Sequence, residues 1–362
     1  MALRVDYGTY TGTGVGFSVA LTNITGIPQV VVVVRQDDAT PTNKWALKYP
    51  VGFAATASVN GWDANIGTTA ITALAAGSFT VGTHTSVNTN LEDYYWFALC
   101  DQDSAGNYVN EVIEVGSYTG DGTDNRNVSF SMSGPPDVIW AQNCNAANAT
   151  SIWRTVLGAA GDASGAPSDA LTTVNFIQSI SSSSFQVGTQ LNVDTHAHAF
   201  ILFKRRTGFF AHDSYVGDNN DSRNIVQADP FQPDIVLVKA EAAVGSPVLK
   251  TPSITGDAAV PLIDFSDDST DGNSAVQANL IQAINSNGFQ VGSGVGNSTW
   301  TNEGTPATTH YYMCFLNQPF AAAGGVAVGD TGFGGFALPN DPYTLFKSML
   351  DVYKRYQNVR IQ

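Results

Sequence analysis

The chain has 362 residues, 43% of them hydrophobic and only 13% charged, with a net charge of −15. Its sixteen basic residues are too few and too dispersed to build a phosphate-binding stripe, which argues against nucleic acid as a partner. No apolar run approaches the length that crosses a membrane, and three cysteines (Cys100, Cys144, Cys314) give neither a disulfide framework nor zinc spacing.

Read in chain order, one block of residues is written three times. Gly8-Thr-Tyr10-Thr-Gly12 returns as Gly116-Ser-Tyr118-Thr-Gly120 and as Asp213-Ser-Tyr215-Val-Gly217. In each copy a proline follows sixteen residues after the last glycine (Pro28, Pro136, Pro233) and opens a short apolar run. Val30–Val34, Val138–Trp140 and Ile235–Val238 are β-branched and brief, which predicts central strands buried on both faces. Next come Ile71 with Phe79, Ile177 with Phe185 and Ile281 with Phe289, eight residues apart each time. An aromatic strand closes each copy, at Tyr94–Leu99, His198–Phe203 and Tyr311–Leu316. Gly, Asn, Asp and Ser clusters separate these runs, which is turn chemistry.

Four ordered markers in three copies predict an all-β chain of three tandem β-sandwich (jelly-roll or lectin-like) repeats, each domain-sized. The expected boundaries are 1–106, 107–208 and 209–318, with a Gly-rich linker and C-terminal helix over 319–362. A short helix is also expected at Ser274–Leu280. In the tail, Asp341 and Pro342 suit a helix start, and Leu345, Phe346, Met349, Leu350 and Tyr353 recur at helical spacing. These five residues are the candidate partner-docking face. Lys347, Lys354, Arg355 and Arg360 crowd the same segment of an acidic protein.

Candidate chemistry is sparse. No nucleophile elbow, phosphate loop or zinc-protease helix is present, so the expectation is a protein that is not an enzyme, with no catalytic residue, cofactor or metal. His196 and His198 alternate along a strand but lack further ligands. Asp101-Gln-Asp103 begins like a calcium loop, then departs from the pattern at Ala105 and Val112. Arg126 and Arg223 stand beside acidic turns and are expected to tie them down, with Ser18 at the matching place in copy one. Trp62, Trp153 and Trp300 are copy-specific and are possible platforms for sugar rings, against the ordinary reading that large aromatics pack in cores.

Together the markers resemble the β-sandwich repeat of tailed-bacteriophage virion proteins. The residues that carry the resemblance are Gly116-Ser-Tyr118-Thr-Gly120, Arg126-Asn-Val128, Pro136-Asp137-Val138 and Phe231-Gln-Pro233-Asp234-Ile-Val-Leu. Copy one diverges, with Gln29 for the aspartate and no arginine. The resemblance implies a virion structural protein on the particle surface, with other virion proteins (capsid or tail subunits) as partners in a symmetric assembly. A capsid decoration or cement protein is the first expectation. A tail-fibre or receptor-binding protein that takes host surface glycan is the alternative. With no apolar leader at Met1–Asp6, synthesis in a host cytoplasm and residence in the virion are expected.

Overall fold

The computed structural model describes residues 2–36, 45–51, 57–60, 65–145, 151–158, 164, 175–241, 247–262, 276–293, 299–304 and 308–318. The expected tail helix, including Leu345, Phe346, Met349, Leu350 and Tyr353, lies outside these residues, as does Trp62.

The chain is all-β. Copy one supplies β1 (Ala2–Thr11), β2 (Phe17–Ala20), β3 (Val30–Arg35), β4 (Trp45–Lys48), β5 (Ser58–Asn60), β6 (Asn65–Gly67), β7 (Ile71–Ala75), β8 (Ser78–Val81) and β9 (Asp93–Gln102), with the one-turn α1 (Thr85–Asn88) before β9. Copy two supplies β10 (Ile113–Thr119), β11 (Arg126–Ser129), β12 (Val138–Asn143), β13 (Ser151–Thr155), β14 (Ile177–Ile180), β15 (Ser184–Val187) and β16 (Ala197–Phe203). Copy three supplies β17 (Phe210–Val216), β18 (Arg223–Val226), β19 (Ile235–Ala240), β20 (Val248–Lys250), β21 (Ala258–Pro261), β22 (Gln277–Ala278), β23 (Ile281–Asn285), β24 (Gly288–Val291) and β25 (Thr309–Phe315), with α2 (Thr299–Asn302) before β25. The helix expected at Ser274–Leu280 is therefore corrected over its described part. Gln277–Ala278 pairs with β21, and Asn279 turns the chain at φ 63°, which a helix does not accommodate.

Each copy builds a large antiparallel sheet and a three-stranded one. The large sheets run β1-β9-β3-β4-β5-β6, β10-β16-β12-β13 and β17-β25-β19-β20-β21-β22. The small ones run β2-β8-β7, β11-β15-β14 and β18-β24-β23. The Ile-to-Phe marker is the hairpin of the small sheet, and a register shift follows Ile71, Ile177 and Ile281 alike. The glycine that ends the Phe-x-Val-Gly marker is required by close approach. A Cβ on Gly82, Gly188 or Gly292 would collide with the carbonyl of Thr69, Asn175 or Asn279.

Register corrects one alignment. Tyr10 faces Tyr94, Tyr118 faces His198, and Tyr215 faces His310. The third aromatic strand is thus matched from His310 rather than Tyr311, which instead corresponds to Tyr95 and Ala199. With this register the period-2 alternation of the closing strands becomes exact. Trp96, Phe200 and Tyr312 pack into three separate sandwich cores. Their neighbours Phe97, Ile201 and Met313 point the other way, into one core common to all three copies. Val32, Trp140 and Leu237 on the middle strands do the same.

The closing and middle strands of the large sheets are therefore buried on both faces, which explains why their runs read as continuously apolar. Phe203 sits at the meeting point, in ring contact with Trp140, Phe210 and Phe315.

Polar contacts join each pair of copies. Gln29 Nε2 donates to Ile113 O (3.1 Å) between copies one and two. Thr155 Oγ1 and His212 Nε2 meet at 2.5 Å between copies two and three. Gln318 N donates to Leu3 O (2.8 Å), which returns copy three to copy one. Residues 1–320 form one compact unit.

Gln29, Asp137 and Asp234 follow the three marker prolines and share a task. Their side-chain oxygens accept from the backbone N–H at equivalent positions near the end of each closing strand, at Asp101, Arg205 and Asn317. Gln29 keeps the role that the missing aspartate would have had, because an amide oxygen accepts as a carboxylate does.

Candidate functional site

The most elaborate polar arrangement among the described residues is a loop cluster built twice, once in copy two and once in copy three. It begins with the marker tyrosine. Tyr118 stacks on His198 (4.9 Å between ring centres) and Tyr215 on His310 (5.2 Å), while each hydroxyl donates to a backbone carbonyl, Leu191 O and Thr301 O. The residue after that carbonyl is an asparagine, Asn192 or Asn302, fully buried in each case.

Each asparagine binds the glycine turn across the gap between two loops. Asn192 Oδ1 accepts from Asp121 N (3.2 Å), and its Nδ2 donates to Asp121 Oδ1 (2.6 Å) and Thr123 O (2.8 Å). Asn302 Oδ1 accepts from Asp218 N (3.1 Å) and its Nδ2 donates to Asn220 O (2.9 Å). Such close loop packing leaves no room at the last marker glycine. A Cβ at Gly12, Gly120 or Gly217 would strike the carbonyl of Thr89, Val193 or Glu303.

The arginines complete the cluster as expected. Arg126 reaches Thr119 O, Asn192 Oδ1 (3.1 Å) and Asp121 Oδ2 (3.4 Å), and lies 5.3 Å from the Tyr118 ring centre. Arg223 repeats this with Val216 O, Asn302 Oδ1 (3.2 Å), Asp218 Oδ2 (3.4 Å) and the Tyr215 ring (5.4 Å). Further out, Gln178 Nε2 donates to Asp124 Oδ1 and Gln282 Nε2 to Asp221 Oδ1, both at 2.9 Å.

Register places Phe17, not Ser18, at the matching position of copy one. Its ring meets Tyr10 edge-on at 5.2 Å, so an aromatic contact replaces the cation over the ring. Asn88 still binds the turn, accepting from Thr13 N (2.7 Å) and donating to Val15 O (2.8 Å). The tip of copy one is apolar where the other two are acidic. Val15 is 69% and Leu91 80% exposed, on adjoining loops joined by Leu91 N to Gly12 O (2.9 Å).

These groups are held rather than reactive. The Thr123 hydroxyl and backbone, with Asn192, hold the Asp121 carboxyl down at about 2, so it stays ionised. Burial pushes the thiols of Cys100 and Cys144 up to about 12, which removes them as nucleophiles near neutrality. Asp101, the first residue of the calcium-like loop, spends its carboxylate on the N–H groups of Glu111 and Val112 (2.6 Å each). Asp103 folds its own turn by accepting from Ala105 and Asn107 (2.9 Å each). Among the described residues, no three His, Cys, Asp or Glu side chains gather where they could hold a metal ion. Narrow apolar crevices mark two joins between copies. One lies by Trp153, Leu237 and Tyr311; the other lies by Leu47, Tyr49 and Ser151.

Trp153 and Trp300 are each only 3% exposed, in the shared core and in the copy-three core, so neither offers a ring face to a sugar.

Residues 109–319 match the model of a family described as a domain of unknown function, DUF7483. The chain belongs to this family. The DUF7483 match takes in copies two and three, the two that carry the arginine-locked loops, and leaves out copy one. No curated protein matches the chain.

Within the DUF7483 region, His198 is the titratable group with the clearest expected effect. Burial, with smaller contributions from His196 and Arg126, pushes it down to about 4. An unfolded histidine titrates near 6.5, so the unfolded chain takes up this proton first as pH falls. The neutral ring's stabilisation is complete above about pH 6.5 and is lost as pH falls through about 4. Between pH 7 and 4.5 it accounts for about 2 kcal/mol. His198→Phe, which lacks this proton, should therefore gain about 2 kcal/mol on wild type between pH 7 and pH 4.5, read as a change in the difference between their urea midpoints. Parallel pH profiles would show that His198 is not the group responsible.

Proposed function

We propose that the chain is a non-enzymatic structural protein of a tailed-bacteriophage virion, exposed on the particle surface as a capsid decoration or cement protein. It works through protein–protein interfaces. The observation that carries this reading is the closed arrangement of the copies. Three equivalent sheets feed one core, and each copy is bonded to both others, so one chain carries three corners of related shape. Such a body suits a three-fold or quasi-three-fold position on a shell. Fusion of the copies spares the cost of bringing three separate subunits together. The locked polar loops support the same reading, since their ionised groups are committed to holding backbone. The amphipathic tail, through Leu345, Phe346, Met349, Leu350 and Tyr353, is the proposed docking element on a neighbouring virion subunit.

The test is the copy number of this chain in purified virions, by quantitative mass spectrometry against the major shell protein. A number comparable to the shell protein is expected. A small fraction of it would place the chain at a vertex or tail and favour the receptor-binding reading. The exposed Asp and Asn side chains of the duplicated loops would then be the groups to test against host glycans.

A further inference from the structure

The main chain of an antiparallel edge strand turns alternate residues inward, to its one partner, and outward, to whatever lies beyond. In β1 the phase is set by Gly12 N donating to Glu92 O (2.7 Å). Gly8 and Tyr10 therefore face β9, and Tyr7, Thr9 and Thr11 turn their N–H and C=O groups outward. The start of the strand agrees. Val5 N donates to Asn317 Oδ1 (3.1 Å) and Leu3 O accepts from Gln318 N, so there the outward groups are covered by copy three. Past Val5 no main-chain partner among the described residues meets Tyr7, Thr9 or Thr11, and Thr9 and Thr11 are exposed.

The equivalent edges of the other copies are blunted. Arg126 occupies Thr119 O on β10, Arg223 occupies Val216 O on β17, and Asp213 takes Ser214 N (2.8 Å). Copy one has Phe17 in place of that arginine, and over Tyr7–Thr11 it has neither proline nor lysine, the usual protections of an edge. Exposed Val15 and Leu91 stand next to its Thr11 end. Three outward residues centred on Thr9 are self-complementary: antiparallel, Tyr7 meets Thr11, Thr9 meets Thr9 and Thr11 meets Tyr7, which allows about six main-chain bonds. A two-fold axis through Thr9 would carry the Val15–Leu91 tip of each copy to opposite ends of the paired strands.

We propose that β1 pairs with β1 of a second copy of this chain across residues 7–11, joining two large sheets into one. This inference does not rest on the virion reading. Each chain carries a charge of −15, so the contact should tighten as salt rises, opposite to an interface made by charge attraction.

Sedimentation velocity of the full chain over a wide concentration series tests it. Wild type should show a monomer–dimer equilibrium that shifts toward dimer with salt. Thr9→Pro removes the central donor while keeping an extended backbone, and an outward N–H on an edge is where proline is tolerated. It should weaken association about tenfold or more, since both strands of the dimer lose a bond. Thr9→Lys should do the same by a different route. Ser117→Pro, at the equivalent place in copy two, should dimerise as wild type does. Retained near-ultraviolet circular dichroism would show that the variants are folded. A wild type that stays monomeric throughout, or equal weakening by Thr9→Pro and Ser117→Pro, would overturn the proposal.

Discussion

Phe203→Ala should lower the stability of the whole described body by about 4 kcal/mol, as large aromatic truncations in closed cores do. The effect should not stay in copy two. Phe203 touches Trp140 in its own copy and Phe210 and Phe315 in copy three, so the cavity opens in the core that all copies share. Phe185→Ala is the comparison. That ring belongs to the copy-two sandwich core alone, packed edge-on against Phe200. If the shared core makes the copies cooperative, the Phe203 variant unfolds in one transition at lower urea with an unchanged slope. Phe185→Ala should be the variant with room to show a separate, earlier transition in copy two. A biphasic curve for Phe203→Ala would mean that the copies unfold independently despite their common core.

Asn192→Ala should cost about 2 kcal/mol, because it removes a buried amide whose bonds to Asp121 N and Thr123 O hold the exposed turn in place, and it releases Arg126. Asn192→Asp separates shape from charge. It keeps the oxygen that accepts from Asp121 N and Arg126, but sets a carboxylate where an amide now donates to Asp121 Oδ1 at 2.6 Å. Two carboxylates at that distance cannot both remain ionised cheaply. The Asp variant should be destabilised at pH 7 and recover relative to wild type as pH falls and one of the pair takes a proton. Chemical denaturation of both variants at pH 7 and pH 5 decides it. An Asp variant as stable as wild type at pH 7 would show that the amide donor is dispensable.

The parts of the fold that were legible in the sequence are those with fixed spacing. The Ile-to-Phe hairpin keeps eight residues because its turn length and register shift are the same in each copy, and the glycines persist because a carbonyl sits where a Cβ would be. The turn-binding asparagines were hidden. Asn88 and Asn192 stand six residues before their stacking partners Tyr94 and His198, but Asn302 stands eight before His310, so no common interval exposes them.

Three cations at one place in the large sheets were hidden for the same reason. Lys48, Arg154 and Lys250 pair with Val31, Ile139 and Val236 at one position of the sheet, and all three donate to backbone carbonyls. The hairpins before them differ in length, and a spacing search passes over them. Phe17 was read as Ser18 because an aromatic does not resemble an arginine in sequence, although both cover the same tyrosine ring.

Three identical subunits around a common core would be obliged to change together, since one substitution would appear at every corner. Covalent fusion lifts that obligation. Copies two and three keep the arginine and the acidic turn, while copy one has exchanged both for an aromatic ring and an apolar tip without disturbing the core beneath. The chain thus has a distinguishable orientation about its own centre. One corner can be addressed by a partner while the other two are ignored, which an exactly symmetric trimer cannot offer.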